Sequence, residues 1–260
     1  MAALTFTPEA GWTLALLFIR ASGLAVTAPV FSHRAIPPLA KVGLAGGLAA
    51  ALLPAVRAGS IEAPASLAAV AEGVLREAIF GLLLGLAMNM VFVAAHMASR
   101  LAGVQIGFSI GGVIDPMTGN DSASLDQFYS VLATLVFFAV SGHLVVVAAL
   151  SETVQAVPPG SFDPFSLSAQ AASSFAAGLF VTAVRIAMPV VASLLLVDVG
   201  LGIAARTVPQ MQVLLVGLPV KVGVGLLVLA AAMPVTTYLL RGAIEGPLAG
   251  ASLRLLGVLN

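Results

Sequence analysis

The stretch DVGLGIAARTVPQMQVLLVGLPVK, Asp198 to Lys221, sets two charges and spaced glycines around a tight turn inside otherwise apolar sequence. A reversal at Thr207-Val208-Pro209-Gln210, with Pro209 and Gln210 as turn residues, sends two helices out antiparallel, as short helix–helix connections do. Equal distance along the chain then means equal depth. Asp198 precedes Pro209 by eleven residues and Lys221 follows it by twelve, so both lie roughly 17 Å from the turn at a rise of ~1.5 Å per residue. The opposite charges can meet there, or each can turn to a different neighbour. Gly202 and Gly217 also match in depth, and small residues at one level let two backbones approach. The stretch reads as a tightly packed helical hairpin.

Composition extends that reading to the whole chain. Of 260 residues, 60% are hydrophobic and 8% charged, and the mean hydropathy is +1.11, outside the range of soluble globular chains. This implies an integral membrane protein or part of a membrane-embedded assembly, with lipid among its surroundings. Eleven Lys and Arg against eleven Asp and Glu leave no basic patch for nucleic acid. Absence of cysteine excludes thiolate metal sites, and His33, His96 and His143 show no ligand spacing, so neither metal nor cofactor is expected. The N-terminus carries no Lys or Arg before its apolar stretch and does not resemble a cleavable signal peptide.

Six apolar segments are expected to be helical, at about 11–31, 36–53, 67–101, 125–150, 169–206 and 213–240. The class is all-α and polytopic, with long broken helices and helical hairpins. The third segment, about 50 Å long, exceeds a ~30 Å hydrocarbon core and must tilt, kink or leave the bilayer. Within it Glu72 and Arg76 have the favourable i,i+4 order, Glu77 needs a partner elsewhere, and Gly81 with Gly85 forms a face for another helix. The fourth segment is expected to kink at Ser141-Gly142-His143 and the fifth to be interrupted by Pro189. Proline and glycine cluster from Val157 to Ser168 and mark a boundary.

Between Gly103 and Ser124 two readings compete. Glycines at 103, 107 and 111 suit a helix-crossing face, whereas Gly111-Gly112 and Asp115-Pro116 suit a chain that has left helical geometry. The second reading predicts a mobile, largely uncharged loop through Gly107, Phe108, Ser109, Ile110, Gly111, Gly112, Asp115 and Pro116, able to occupy a pore without binding tightly. Its GFSIGG run has neither dinucleotide nor Walker spacing. Ser141 and His143 diverge around a helix and no second element supplies an oxyanion hole, so an intramembrane protease has little support and no enzyme is expected.

The charges Arg20, Arg76, Glu77, Arg185, Asp198 and Lys221 lie within or near apolar segments, and Arg206 borders the hairpin turn. Facing lipid, the first six would oppose insertion by roughly 15 to 20 kcal/mol, at about 3 kcal/mol each. They are expected to face protein, between helices of this chain or between subunits.

In combination these residues resemble the FliR/SctT family of type III secretion export-gate subunits, over essentially the whole chain. The matching features run in order. They are Arg20 with Pro29 and Ile36-Pro37, Arg76-Glu77 with Gly81 and Gly85, and Gly107 with Asp115-Pro116. Gly142-His143 before Ser151 and Pro158, Arg206 with Pro209-Gln210, and Gly217, Pro219 and Lys221 complete them. The GHL and DPMTG runs look more like the flagellar than the injectisome branch. The resemblance implies a FliP-like part over residues 1–160, with a glycine-rich plug loop at about 103–124, and a FliQ-like hairpin and tail over 161–260. It implies a non-enzymatic subunit that joins FliP-like and FliQ-like chains, with FlhB-like and FlhA-like components nearby. Together these would form the entry portal for unfolded substrates across the bacterial inner membrane, at the flagellar basal body. In the family the loop corresponding to Gly107–Asn120 helps plug the closed pore, and the gate is largely lifted out of the bilayer plane. The alternatives are an injectisome (SctT-like) gate subunit and a secondary transporter, whose usual internal repeat is not found.

Overall fold

Residues 7–33, 35–56, 61, 63–108, 123–166, 169–207 and 213–245 are described by the structure, a computed structural model. Seven α-helices account for most of them: α1 (Pro8–Thr27), α2 (Pro38–Leu52), α3 (Leu67–Ile106), α4 (Ala123–Ala139), α5 (Gly142–Ala156), α6 (Ala169–Thr207) and α7 (Val213–Glu245). There is no strand among the described residues. Short 3-10 turns stand at Leu53–Ala55 and Pro164–Ser166. By length and composition five helical stretches can cross a membrane, namely Pro8–Thr27, Pro38–Ala55, Leu67–Ile106, Ala172–Thr207 and Val216–Glu245. The broken pair Ser124–Ala139 and Gly142–Ala156 makes a sixth if it is one span.

Local chemistry sets where these helices begin and end. At the start of α1 the Thr7 hydroxyl accepts from the Ala10 N–H at 3.3 Å, and Pro8 occupies the first turn, where a missing N–H is no loss. The helix stops at Thr27, short of the expected Phe31, because Pro29 forces Ala28 into extended backbone (φ −65°, ψ 145°). Helix α3 instead overshoots the expected Leu101 and spans 40 residues, about 60 Å at 1.5 Å per residue. It ends at Gly107, whose φ of 100° lets the Phe108 N–H reach back to the Gly103 carbonyl at 3.0 Å. Gly103 therefore belongs to the helix, and the chain leaves helical geometry at Gly107.

The fourth segment bends where expected, by 67°, and two other expectations change. The break in the fourth segment uses Ser141 (φ 55°) and not Gly142 as its left-handed residue, and the Ser141 carbonyl then accepts from the Leu144 N–H at 2.8 Å to open α5. Pro189 does not interrupt the fifth segment, since α6 is continuous over 39 residues. One proline removes one N–H, and helical backbone continues on either side of it. Helix α7 passes Pro219 and Pro234 and runs to Glu245, beyond the expected Leu240.

The described helices sort into two compact units. One gathers α1, α2, α3 as far as Met90, α5 and the connection after it. Here α2 buries Ala45, Ala49 and Leu52, and α1 lies directly on α3. A Cβ on Gly23 would stand 2.8 Å from the Leu82 nitrogen, one on Gly85 2.9 Å from the Ala28 nitrogen, and one on Gly81 would collide with the Arg20 carbonyl. These meetings step along both helices in one direction, so α1 and α3 run parallel where they touch. The Thr27 hydroxyl donates across the seam to the Leu82 carbonyl at 3.2 Å.

The other unit gathers α3 from Val91, α4, and α6 with α7 from Ala176 to Ile244. Phe92 and Phe137 meet edge to face at 5.8 Å. Helix α6 buries Ala183, Ile186, Ala187, Val190 and Leu194, a stripe at helical spacing. Ile106 fills the space beside Gly225 of α7, 2.7 Å from where a Cβ would lie. Between α6 and α7 Leu201 Cδ1 lies 3.2 Å from where a Cβ on Gly217 would stand, while a Cβ on Gly202 would meet nothing within 4 Å. The contact lies at the expected level, but the residue facing Gly217 is one position from Gly202, about 100° around the helix. Burial is uneven: 56% of the apolar window of α3 is buried, against 22% in α6 and in α7.

Candidate functional site

Arg20 sits on the buried stripe of α1 that also carries Leu16, Leu17 and Leu24. A fully buried cation must find partners. Its Nε donates to Glu77 Oε2 at 2.6 Å and its Nη2 to Oε1 at 2.9 Å, the two-pronged fork that a guanidinium makes with a carboxylate. Its Nη1 donates to the carbonyls of Thr153 at 3.3 Å and Val157 at 3.0 Å. Those carbonyls lie at the end of α5, where the helix dipole is negative; Thr153 also accepts from the Val157 N–H at 2.9 Å, so Arg20 is a second donor there. Glu77 Oε1 in turn accepts from the Gly160 N–H at 2.7 Å. The guanidinium lies 4.3 Å over the Phe80 ring, and Phe80 meets Phe162 edge to face at 4.9 Å.

Both charges are fully buried. One ion pair thus joins α1, α3, the end of α5 and the 157–162 connection. The sequence marks Arg20 and Glu77 as charges in apolar surroundings but not as each other's partner, because 57 residues separate them and no periodicity spans that gap. A signal was present nonetheless. Each charge precedes a glycine of the α1–α3 seam by one turn, Arg20 before Gly23 and Glu77 before Gly81.

The remaining charges fall into different settings. Arg76 pairs with Glu72 along the exposed side of α3. Lys221 Nζ lies 2.5 Å from Asp198 Oδ1, both side chains partly exposed, and ties α7 to α6. Arg185 and Arg206 stand exposed on α6.

Of the proposed pore-loop residues, Gly107 and Phe108 close α3, whereas Ser109, Ile110, Gly111, Gly112, Asp115 and Pro116 lie outside the described residues, as do Pro209 and Gln210. Sequence reasoning missed the cluster at the two ends of that stretch. The Ser99 hydroxyl donates to Asp126 Oδ1, and Arg100 Nε is 3.6 Å from Asp126 Oδ2. With Gly103, Val104, Phe108 and Leu125 these side chains line a cleft of about 260 Å³. The available signal was an acid in the first turn of α4, where the helix dipole favours one. No group of three or more His, Cys, Asp and Glu side chains gathers among the described residues to hold a metal. The polar atoms of the buried cluster are occupied with one another and with backbone.

The family model described as bacterial export proteins, family 1, matches residues 12–246. The chain is 37% identical over 233 residues to the flagellar biosynthetic protein FliR of Bacillus subtilis strain 168, covering 87% of this chain and 88% of that protein. It is 30% identical over 217 residues to the protein of the same name from Escherichia coli K12, covering 83% and 82%. It is also 30% identical over 169 residues to the surface presentation of antigens protein SpaR of Salmonella typhimurium strain LT2, covering 65% and 64%. With the match running from α1 through α7, this chain belongs to the bacterial export proteins, family 1.

Proposed function

We propose that this chain is a subunit of a type III protein export gate, of the flagellar branch, and that its role is to build the portal and not to catalyse a reaction. The observation that carries the reading is the likeness to a flagellar biosynthetic protein at 37% identity over nearly nine tenths of both chains. The geometry supports it in two ways. The buried charges hold helices and backbone together, and α6 with α7 leaves apolar faces uncovered, as a piece of a larger helical assembly would. FliP-like and FliQ-like chains are the proposed neighbours, with FlhB-like and FlhA-like components beside them and unfolded export substrates passing through. The proposed location is the inner membrane at the flagellar basal body. The stretch from Gly107 to Pro116 is the proposed pore plug, following the family resemblance.

The test is export in the source bacterium: delete the gene, complement it, and assay hook and filament proteins in the medium together with motility. Loss of both, restored by the intact gene, supports the flagellar reading. Normal motility with loss of another secreted set moves the chain to the injectisome branch, and no secretion defect removes the export reading. The likeness to SpaR, over about two thirds of each chain, supports the injectisome branch as the second reading.

A further inference from the structure

We propose that Arg20 is a helix cap supplied by a distant helix: it closes the C-terminus of α5, and Glu77 anchors the turn that follows, so the surrounding backbone fixes the polarity of the pair. The local backbone does only part of this work, through the Val157 N–H on the Thr153 carbonyl at 2.9 Å. The last turn of α5 has no basic residue, and the nearest charge, Glu152, has the wrong sign for a helix C-terminus. Arg20 brings the missing cation from α1, with one nitrogen on the Thr153 and Val157 carbonyls and the other two on Glu77. Beyond the helix the Ser161 N–H closes a turn on the Pro158 carbonyl at 3.1 Å, and Gly160, at φ 84°, donates its own N–H to Glu77.

Each member of the pair therefore has a second duty of one sign only. Exchanging them would aim a carboxylate at two carbonyls and a guanidinium at an N–H, and both contacts would turn repulsive. The Asp198–Lys221 pair differs, since it is a contact between side-chain ends on two helices. A reversed pair there keeps its attraction. The two ion pairs should thus respond oppositely to charge exchange.

The cysteine-free chain provides a clean reporter. Thr153 is fully buried at the end of α5, so Thr153→Cys in the full chain, in membranes of the source bacterium, reports opening of this end by its rate of maleimide labelling. Glu77→Gln, Arg20→Lys and the exchange Arg20→Glu/Glu77→Arg are each expected to raise that rate about tenfold or more, through loss of charge-assisted hydrogen bonds. Asp198→Lys/Lys221→Asp should leave it unchanged. An Arg20/Glu77 exchange that labels as slowly as the parent overturns the proposal, as do Glu77→Gln and Arg20→Lys both labelling at the parent rate. If the exchanged chain does not accumulate, the isosteric Glu77→Gln and the charge-conserving Arg20→Lys decide.

The labelling arm is independent of the export reading. Faster labelling with no secretion defect on gene deletion keeps the cap and removes the export role. Unchanged labelling with export lost on deletion does the reverse.

Discussion

A Cβ on Gly81 would run into the carbonyl oxygen of Arg20, the residue whose guanidinium grips Glu77 one turn earlier on the same helix as that glycine. The glycine seam and the buried ion pair are therefore one construction, since the backbone approach that excludes a methyl group at position 81 also brings the two charges together. Gly81→Ala should be disruptive, because backbone lies on both sides of the contact and neither can turn aside. Overpacking of this kind costs about 1 to 3 kcal/mol or more. Gly11→Ala, with nothing within 4 Å of the added carbon, is the matched control. Immunoblots of membranes should show the Gly81 variant strongly reduced and the Gly11 variant at the parent level; equal amounts would refute the seam.

Lys221→Glu is expected to impair assembly and export by placing two acids where an ion pair joins α6 to α7. Adding Asp198→Lys should restore a large part of the loss, because the contact tolerates reversal. Secreted hook protein, normalised to the chain in the membrane, is the readout. An unrescued double variant would mean that the pair contributes through something other than its mutual attraction.

Ser141 holds a left-handed backbone that disfavours any side chain with a Cβ. Ser141→Gly should therefore stabilise the chain by about 1 kcal/mol, seen as a higher thermal midpoint in detergent, while Ser141→Val should lower it. Ser141→Ala should leave export intact. Selective loss of activity in that variant would bring back a nucleophilic role for the serine.

Deletion of Gly107–Gly112 is expected to leave an assembled gate that leaks ions, if that stretch is the plug. Membrane potential and ion uptake in cells carrying the deletion provide the measure. Unchanged permeability, with the subunits still co-purifying, would remove the plug assignment. A milder probe is Gly107→Ala, where the left-handed termination of α3 disfavours alanine by about 1 kcal/mol.

Much of this architecture was legible because apolar runs, prolines and charge spacing are local signals. The segment count and the i,i+4 contact of Glu72 with Arg76 both follow from neighbours in sequence, whereas the third helix ends five residues beyond the expected Leu101. The hairpin level was legible because antiparallel helices convert sequence distance into depth, and Asp198 and Lys221 stand at one level. Facing residues were harder. One residue rotates a helix by about 100°, so Leu201 takes the place beside Gly217 that Gly202 was expected to fill. The Arg20–Glu77 pair and the Asp126 cluster depend on segments distant in sequence, and local patterns mark the residues without naming their partners. Pro189 failed as a breaker because a helix of 39 residues absorbs one missing N–H.

The thin burial of α6 and α7 has a consequence for how much of this chain a cell can hold. Leu196, Leu227 and Tyr238 are 74%, 73% and 75% exposed, and such a surface has to be covered by lipid or protein before the chain persists. By mass action the lifetime of each copy rises with the supply of its cover, and surplus copies are the ones that proteases reach first. Where protein is the cover, two sparsely buried helices make copy number a property of the assembly and only secondarily of the gene.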